Sequence, residues 1–199
     1  MTMMKFATAA RSAVLAAAAA SVLATAAQAD GEYWGVDISS STTNGVLSAT
    51  RGDFTFGASV TDYEDGVSAG LSLTRRLPWD LGVEGLTLSA GPALGFGGGD
   101  LSEVSLGLTA GVQRYHSTSW GSTFLQASVG SVNRSFFLQA QTTFADPGIT
   151  IGLSRGGSTL YNDASLSISK RLGETPVSLR AGYLLMSNQV FVGFSVNTF

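Results

Sequence analysis

Leu86-Thr-Leu-Ser-Ala-Gly-Pro-Ala-Leu-Gly-Phe96 decides how the rest of the chain is read. Leu86, Leu88, Ala90, Pro92, Leu94 and Phe96 fall on one phase, and Thr87, Ser89, Gly91, Ala93 and Gly95 on the other. Alternation at period two describes a β-strand with two unlike faces, because successive side chains leave a strand on opposite sides. The polar phase holds only small neutral residues, not the Lys, Glu and Asp of a surface in bulk water.

The same pattern recurs along the chain. Val104, Leu106, Leu108, Ala110 and Val112 oppose Ser105, Gly107, Thr109 and Gly111; Ala164, Leu166 and Ile168 oppose Ser165, Ser167 and Ser169. Val190, Val192, Phe194 and Val196 oppose Gly193, Ser195 and Asn197. Turn-forming stretches such as Gly52-Asp53, Glu64-Asp65-Gly66, Gly97-Gly98-Gly99-Asp100, Asp146-Pro147-Gly148 and Gly173-Glu174-Thr175-Pro176 separate the runs. They predict about twelve strands: 31–39, 45–51, 54–62, 67–77, 86–97, 103–116, 123–132, 135–145, 148–155, 159–172, 177–186 and 189–199. A count of ten is the alternative.

The first 29 residues predict a cleaved secretory signal peptide. Lys5 and Arg11 supply its positive start, Ser12 to Ala26 an uncharged Ala-rich core, and Ala27-Gln28-Ala29 a small-x-small cleavage site before Asp30. Without Cys the chain has no lipid-acceptor thiol and forms no disulfide. Cleavage would leave 170 of 199 residues as one domain, 30–199, with nine basic side chains against 14 acidic ones. That balance, without a basic run, excludes a nucleic-acid binder. Beyond the signal, no stretch reaches the roughly 20 apolar residues of a membrane helix. A membrane-spanning mature chain must therefore be a closed barrel, since only helices and barrels satisfy their own backbone groups in lipid.

A secreted β-sandwich also alternates, so the choice between folds rests on further features. Only 23 of those 170 residues are charged, below the quarter typical of soluble domains. Aromatics collect near strand ends. With the N-terminus on the periplasmic side, Phe54, Trp79, Tyr115, Trp120, Phe144 and Phe199 mark that end, and Tyr63, Phe96, Phe136 and Tyr161 the other. Two aromatic girdles flanking an apolar band are what a membrane interface favours. The chain also finishes on an amphipathic strand, Val190 to Phe199, that ends in an aromatic residue.

In its signal peptide, strand pattern and last ten residues, the sequence resembles bacterial outer-membrane β-barrel proteins, in particular small porin-like barrels. The resemblance identifies a broad class and no specific family. It implies an all-β, antiparallel up-and-down transmembrane barrel in the cell outer membrane, with outer-membrane lipid and the barrel-assembly machinery as partners. Phe199 departs from the usual pattern, because it is in phase with Asn197, Ser195 and Gly193 and not with Phe194 and Val196.

Within that reading, Ser89, Thr109, Gln126, Gln139, Ser167 and Arg180 are candidates to face the lumen, and Trp79, Tyr115, Trp120 and Phe199 to mark the interface. The turns near Glu64, Asp100 and Asn188 are expected outside, and those near Trp79, Trp120 and Glu174 in the periplasm. The connections are short, the longest spanning Pro78 to Gly85, so no segment is expected to fold inward as a plug. Arg75, Arg76, Lys170 and Arg171 sit beside the periplasmic turns, where they could line a pore mouth or snorkel toward interfacial phosphates; only Arg76, Arg171 and Arg180 look inward, too few to suggest an anionic solute.

The chain offers little for catalysis. His116, its only histidine, has Ser117 on the opposite face, Thr at position 118 and Ser119 already in a turn. A His/Ser hydrolase needs nucleophile and base within reach of each other. One His and no Cys cannot make a zinc set, and Asp62, Glu64 and Asp65, or Asp100 and Glu103, lack calcium-loop spacing. No cofactor is expected. A small passive pore is the leading expectation, with a non-conducting structural barrel, an outer-membrane lipid hydrolase and a periplasmic sandwich behind it.

Overall fold

In a computed structural model, residues 31–64, 66–97 and 100–199 are described. The expected signal peptide and the Ala29–Asp30 cleavage site lie outside them. Twelve strands follow in order: β1 Gly31–Ile38, β2 Thr43–Arg51, β3 Phe54–Tyr63, β4 Gly66–Arg76, β5 Leu86–Gly97 and β6 Glu103–Thr118. The second half holds β7 Gly121–Gly130, β8 Phe136–Phe144, β9 Ile149–Gly157, β10 Asn162–Arg171, β11 Val177–Leu184 and β12 Gln189–Asn197.

Each strand pairs antiparallel with its neighbours in sequence, and β1 pairs with β12. The sheet is thus a closed up-and-down barrel of twelve strands, and it has no open edge. Every expected strand is present, displaced by three residues at most at either end. The turn signals work because they supply the backbone that reversals need. Gly52, Gly148 and Gly173 all have φ between 56° and 75°, in the left-handed region that costs an L-residue its Cβ clearance.

Closure carries the alternation all the way round. One phase runs through paired Trp34, Leu47, Ala58, Leu71, Leu94 and Leu106. Farther round, the same phase links Leu125, Ala140, Leu153, Leu166, Tyr183 and Val190. These side chains point outward: Leu106 is 79% exposed and Leu108 67%. Among the described residues, the buried hydrophobics are just Ala49 and Phe191. A barrel whose large apolar side chains face out in a continuous belt is built for lipid; in water such an area would drive association.

Candidate functional site

The lumen is the interior this fold creates, and the second phase of every strand lines it. Gln113, Gln126 and Gln139 sit side by side across β6, β7 and β8, and the row continues through Ser154 and Ser165. The Ser154 and Ser165 hydroxyls lie 2.8 Å apart. The register also puts Ser89, Thr109, Ser167 and Arg180 on this phase. Thr109 donates to the Val129 carbonyl at 3.2 Å, and Ser167 to the Gly152 carbonyl at 3.4 Å.

Arg180 does not stand free in the lumen. From β11 it reaches over β12 to β1, where its Nε and Nη2 donate to the two Asp37 oxygens at 2.9 and 3.0 Å. Its Nη1 donates to the Tyr33 hydroxyl at 3.0 Å. Gly193 of β12 lies under this bridge, and a side chain there would meet Asp37 and the Val36 carbonyl. The bidentate pair ties together the three strands at the closure of the barrel. It also cancels the charge of an inward guanidinium that lies away from the strand ends.

The outward-facing elements are simpler. His116 pairs with Thr123 on the lipid phase, while Ser117 pairs with Ser122 on the lumen phase, so the two do not meet. Trp120 packs against Phe144 with ring centroids 5.6 Å apart, and Arg75 lies over Phe54 at the same end. Trp79, in the β4–β5 connection, is 64% exposed. Tyr115 differs from the expected interface residue: it pairs with Phe124 on the lumen phase, near the end that carries both termini. Phe199 differs too, since its ring lies where a Gly31 side chain would project into the lumen. Its phase in the sequence already pointed that way. Among the described residues, no group of three or more His, Cys, Asp or Glu could hold a metal ion.

The expectation that no segment folds inward is corrected at the end of the barrel away from the termini. β7 stops opposite Thr109, whereas β6 runs on to Glu103, so the β7–β8 turn meets the lumen face of a taller wall. There Ser131 N donates to the Leu108 carbonyl and Leu108 N to Ser131 Oγ, both at 2.9 Å. Val132 lies over Gly95 and Gly107; a methyl group on Gly107 would come within 2.8 Å of its Cγ2.

A second turn, between β9 and β10, crosses the same mouth. Its Thr159 N donates to the Asn133 carbonyl at 2.9 Å. Leu160 approaches Gly97, its Cδ1 3.7 Å from where a Cβ would sit. Tyr161 stacks on Tyr63 of β3, with centroids 6.5 Å apart and ring planes at 27°. β3 is five strands away from β10 around the ring, so this contact spans the opening. Tyr63 and Tyr161 are therefore parts of a bridge over the mouth and not an outer girdle.

Asp163 anchors the second turn. It accepts from the Met186 and Ser187 amides of the next turn at 3.0 and 3.3 Å, and from the Tyr161 hydroxyl at 3.2 Å. Burial, reinforced by this carboxylate, pushes the Tyr161 phenol up to about 12. At the same end, Asp100 accepts from the Ser102 amide at 3.0 Å, and its hydrogen bonds with Ser102 hold its carboxyl below the ordinary value.

Comparison with a solved structure supports the fold that this geometry defines, a closed antiparallel β-barrel. A solved structure described as "KdgM porin" superposes with a TM-score of 0.56 over 83% of this chain and 98% of that one, at 12% identity. A mutant of a Rhodobacter porin matches 79% of this chain and 56% of that one, with a TM-score of 0.41 and 12% identity. No family model matches the sequence, and no curated protein matches it. The likeness to the first structure is one of fold.

Proposed function

We propose that the chain is a small passive pore of the bacterial outer membrane, exported by the signal at 1–29 and released between Ala29 and Asp30. The carrying observation is the contrast between an outward apolar belt and an inward lining of Ser, Thr, Gly and Gln around a closed ring of twelve strands. Water can wet such a lining without leaving a buried polar group unpaired. The fold it shares with a porin supports the same reading. In this reading the barrel-assembly machinery inserts it, outer-membrane lipid surrounds it, and the bridged mouth faces outside. His116, on the lipid phase with Ser117 on the opposite face, favours a passive barrel over a lipid hydrolase.

One observation favours a second reading, a barrel that supports the envelope and conducts nothing: the bridge of two turns across the mouth. Reconstitution in planar bilayers separates the two. The pore reading expects discrete, ohmic conductance steps from the protein whose gel band shifts on heating. A correctly folded, outer-membrane-fractionating protein that never conducts would leave the structural reading.

A further inference from the structure

Beneath the mouth bridge, a cavity of about 420 Å³ opens between the two inward turns and the walls of β3, β4 and β5. That is within the range of small-ligand sites, which is roughly 300–1,000 Å³. Hydroxyls reach it from several directions: Ser59, Ser68 and Ser72 on one wall, Thr109 and Ser135 on the other. Asn133 adds an amide, and among the described residues no charged side chain lines the space. Arg180 is held by Asp37 elsewhere in the lumen.

The turn that bounds the cavity is held in a costly backbone conformation. Asn133 and Arg134 have φ of 50° and 48°, in the left-handed region that side chains other than Gly disfavour. Strain of that kind persists only where surrounding contacts fix it, and three such contacts surround this turn. Val132 is seated over two glycines, Asn133 accepts from Thr159, and Ser131 is joined to Leu108 at two points. The turn is a fixed wall and not a loose loop.

We infer that this chamber is the selecting site of the pore and takes small neutral polyhydroxyl solutes, with Val132, Asn133 and Tyr161 setting the size limit. The serine hydroxyls and the Asn133 amide can donate and accept, and Thr109, whose proton goes to the Val129 carbonyl, can still accept, which matches a ligand that carries hydroxyls on all sides. An anion entering an uncharged chamber loses hydration and gains no countercharge. The inference rests on the pore reading and deepens it.

Liposome swelling tests it with three solutes: glucose, gluconate of similar size but one negative charge, and the larger neutral maltose. Wild-type protein should admit glucose about fivefold or more faster than gluconate, and exclude maltose. Val132→Gly, which removes the side chain seated on Gly95 and Gly107, should let maltose enter, and Tyr161→Ala should do the same by unstacking the bridge. Gluconate keeping pace with glucose overturns the selectivity. Maltose exclusion unchanged in both folded variants overturns the role of the turns. Ion conductance in bilayers without glucose uptake would refute the chamber and leave the pore standing. Wild type and variants that pass neither ions nor any solute would sink the pore reading, and the chamber with it.

Discussion

Two walls of one barrel solve different problems with the same strand geometry. Around the middle of β3, β4 and β5 and the facing part of β6, the lumen phase carries only small side chains: Gly57, Ser59, Gly70, Ser72, Ala93, Gly95 and Gly107. On β11, β12 and β1 it carries Arg180, Phe191, Tyr33 and Asp37. The bare wall leaves room for the inward turns, and it contributes hydroxyls rather than bulk. The filled wall closes the ring, where the last strand must find the first from the far end of the chain. Small side chains make space in this protein, and charged or aromatic ones fix the closure.

The sharpest test of this contrast places the same kind of change on both walls. Gly193→Val puts a side chain where the Val36 carbonyl and Asp37 already sit, and obstructs the path of Arg180. Overpacking and a displaced charge pair together should cost about 4 kcal/mol or more, or prevent folding. The heat-shifted gel band reads this as lost folded protein. Leu108→Arg comes next, with up to about 4 kcal/mol expected for a cation on the lipid face. Its measurement is the urea midpoint in detergent micelles or lipid vesicles. At the small end, Gly70→Ala meets the Ser59 hydroxyl at 3.1 Å, which can rotate away, and the Leu94 carbonyl at an ordinary 3.8 Å. It should shift that midpoint by about 0.5 kcal/mol or less. A Gly70→Ala loss as large as that of Gly193→Val would show that the bare wall is as tightly packed as the filled one.

Most of the architecture was legible because period two is a strong signal and most turns carry Gly, Pro, Asn or Asp. The alternation also groups residues by face: Ser89, Thr109, Gln126, Gln139, Ser167 and Arg180 share one face by register. The inward turn was not legible. Gly130 to Ser135 has no Gly or Pro at its centre and reads as a strand end, 123–132, running into the next, 135–145. Its direction comes from β7 ending opposite Thr109 while β6 continues, a difference in strand height that alternation does not encode. Gly95 and Gly107 were the available hint, as positions where another chain segment approaches closely. Tyr63 and Tyr161 were assigned to a girdle from their place near strand ends, which says nothing about inward or outward. The Arg180–Asp37 pair, 143 residues apart in sequence, depends on closure and register, and no local pattern announces it.

A transmembrane barrel requires adjacent residues of β6 to face lipid and water in turn. Because the chain has no cysteine of its own, single substitutions report one site each. Leu108→Cys and Thr109→Cys, embedded in membranes, can be exposed to a membrane-impermeant, water-soluble thiol reagent small enough to enter the lumen. The barrel predicts that Thr109→Cys is labelled and Leu108→Cys is not, and that both are labelled once the protein is unfolded. Labelling of Leu108→Cys with Thr109→Cys protected, or equal labelling of the two in the folded state, would contradict it.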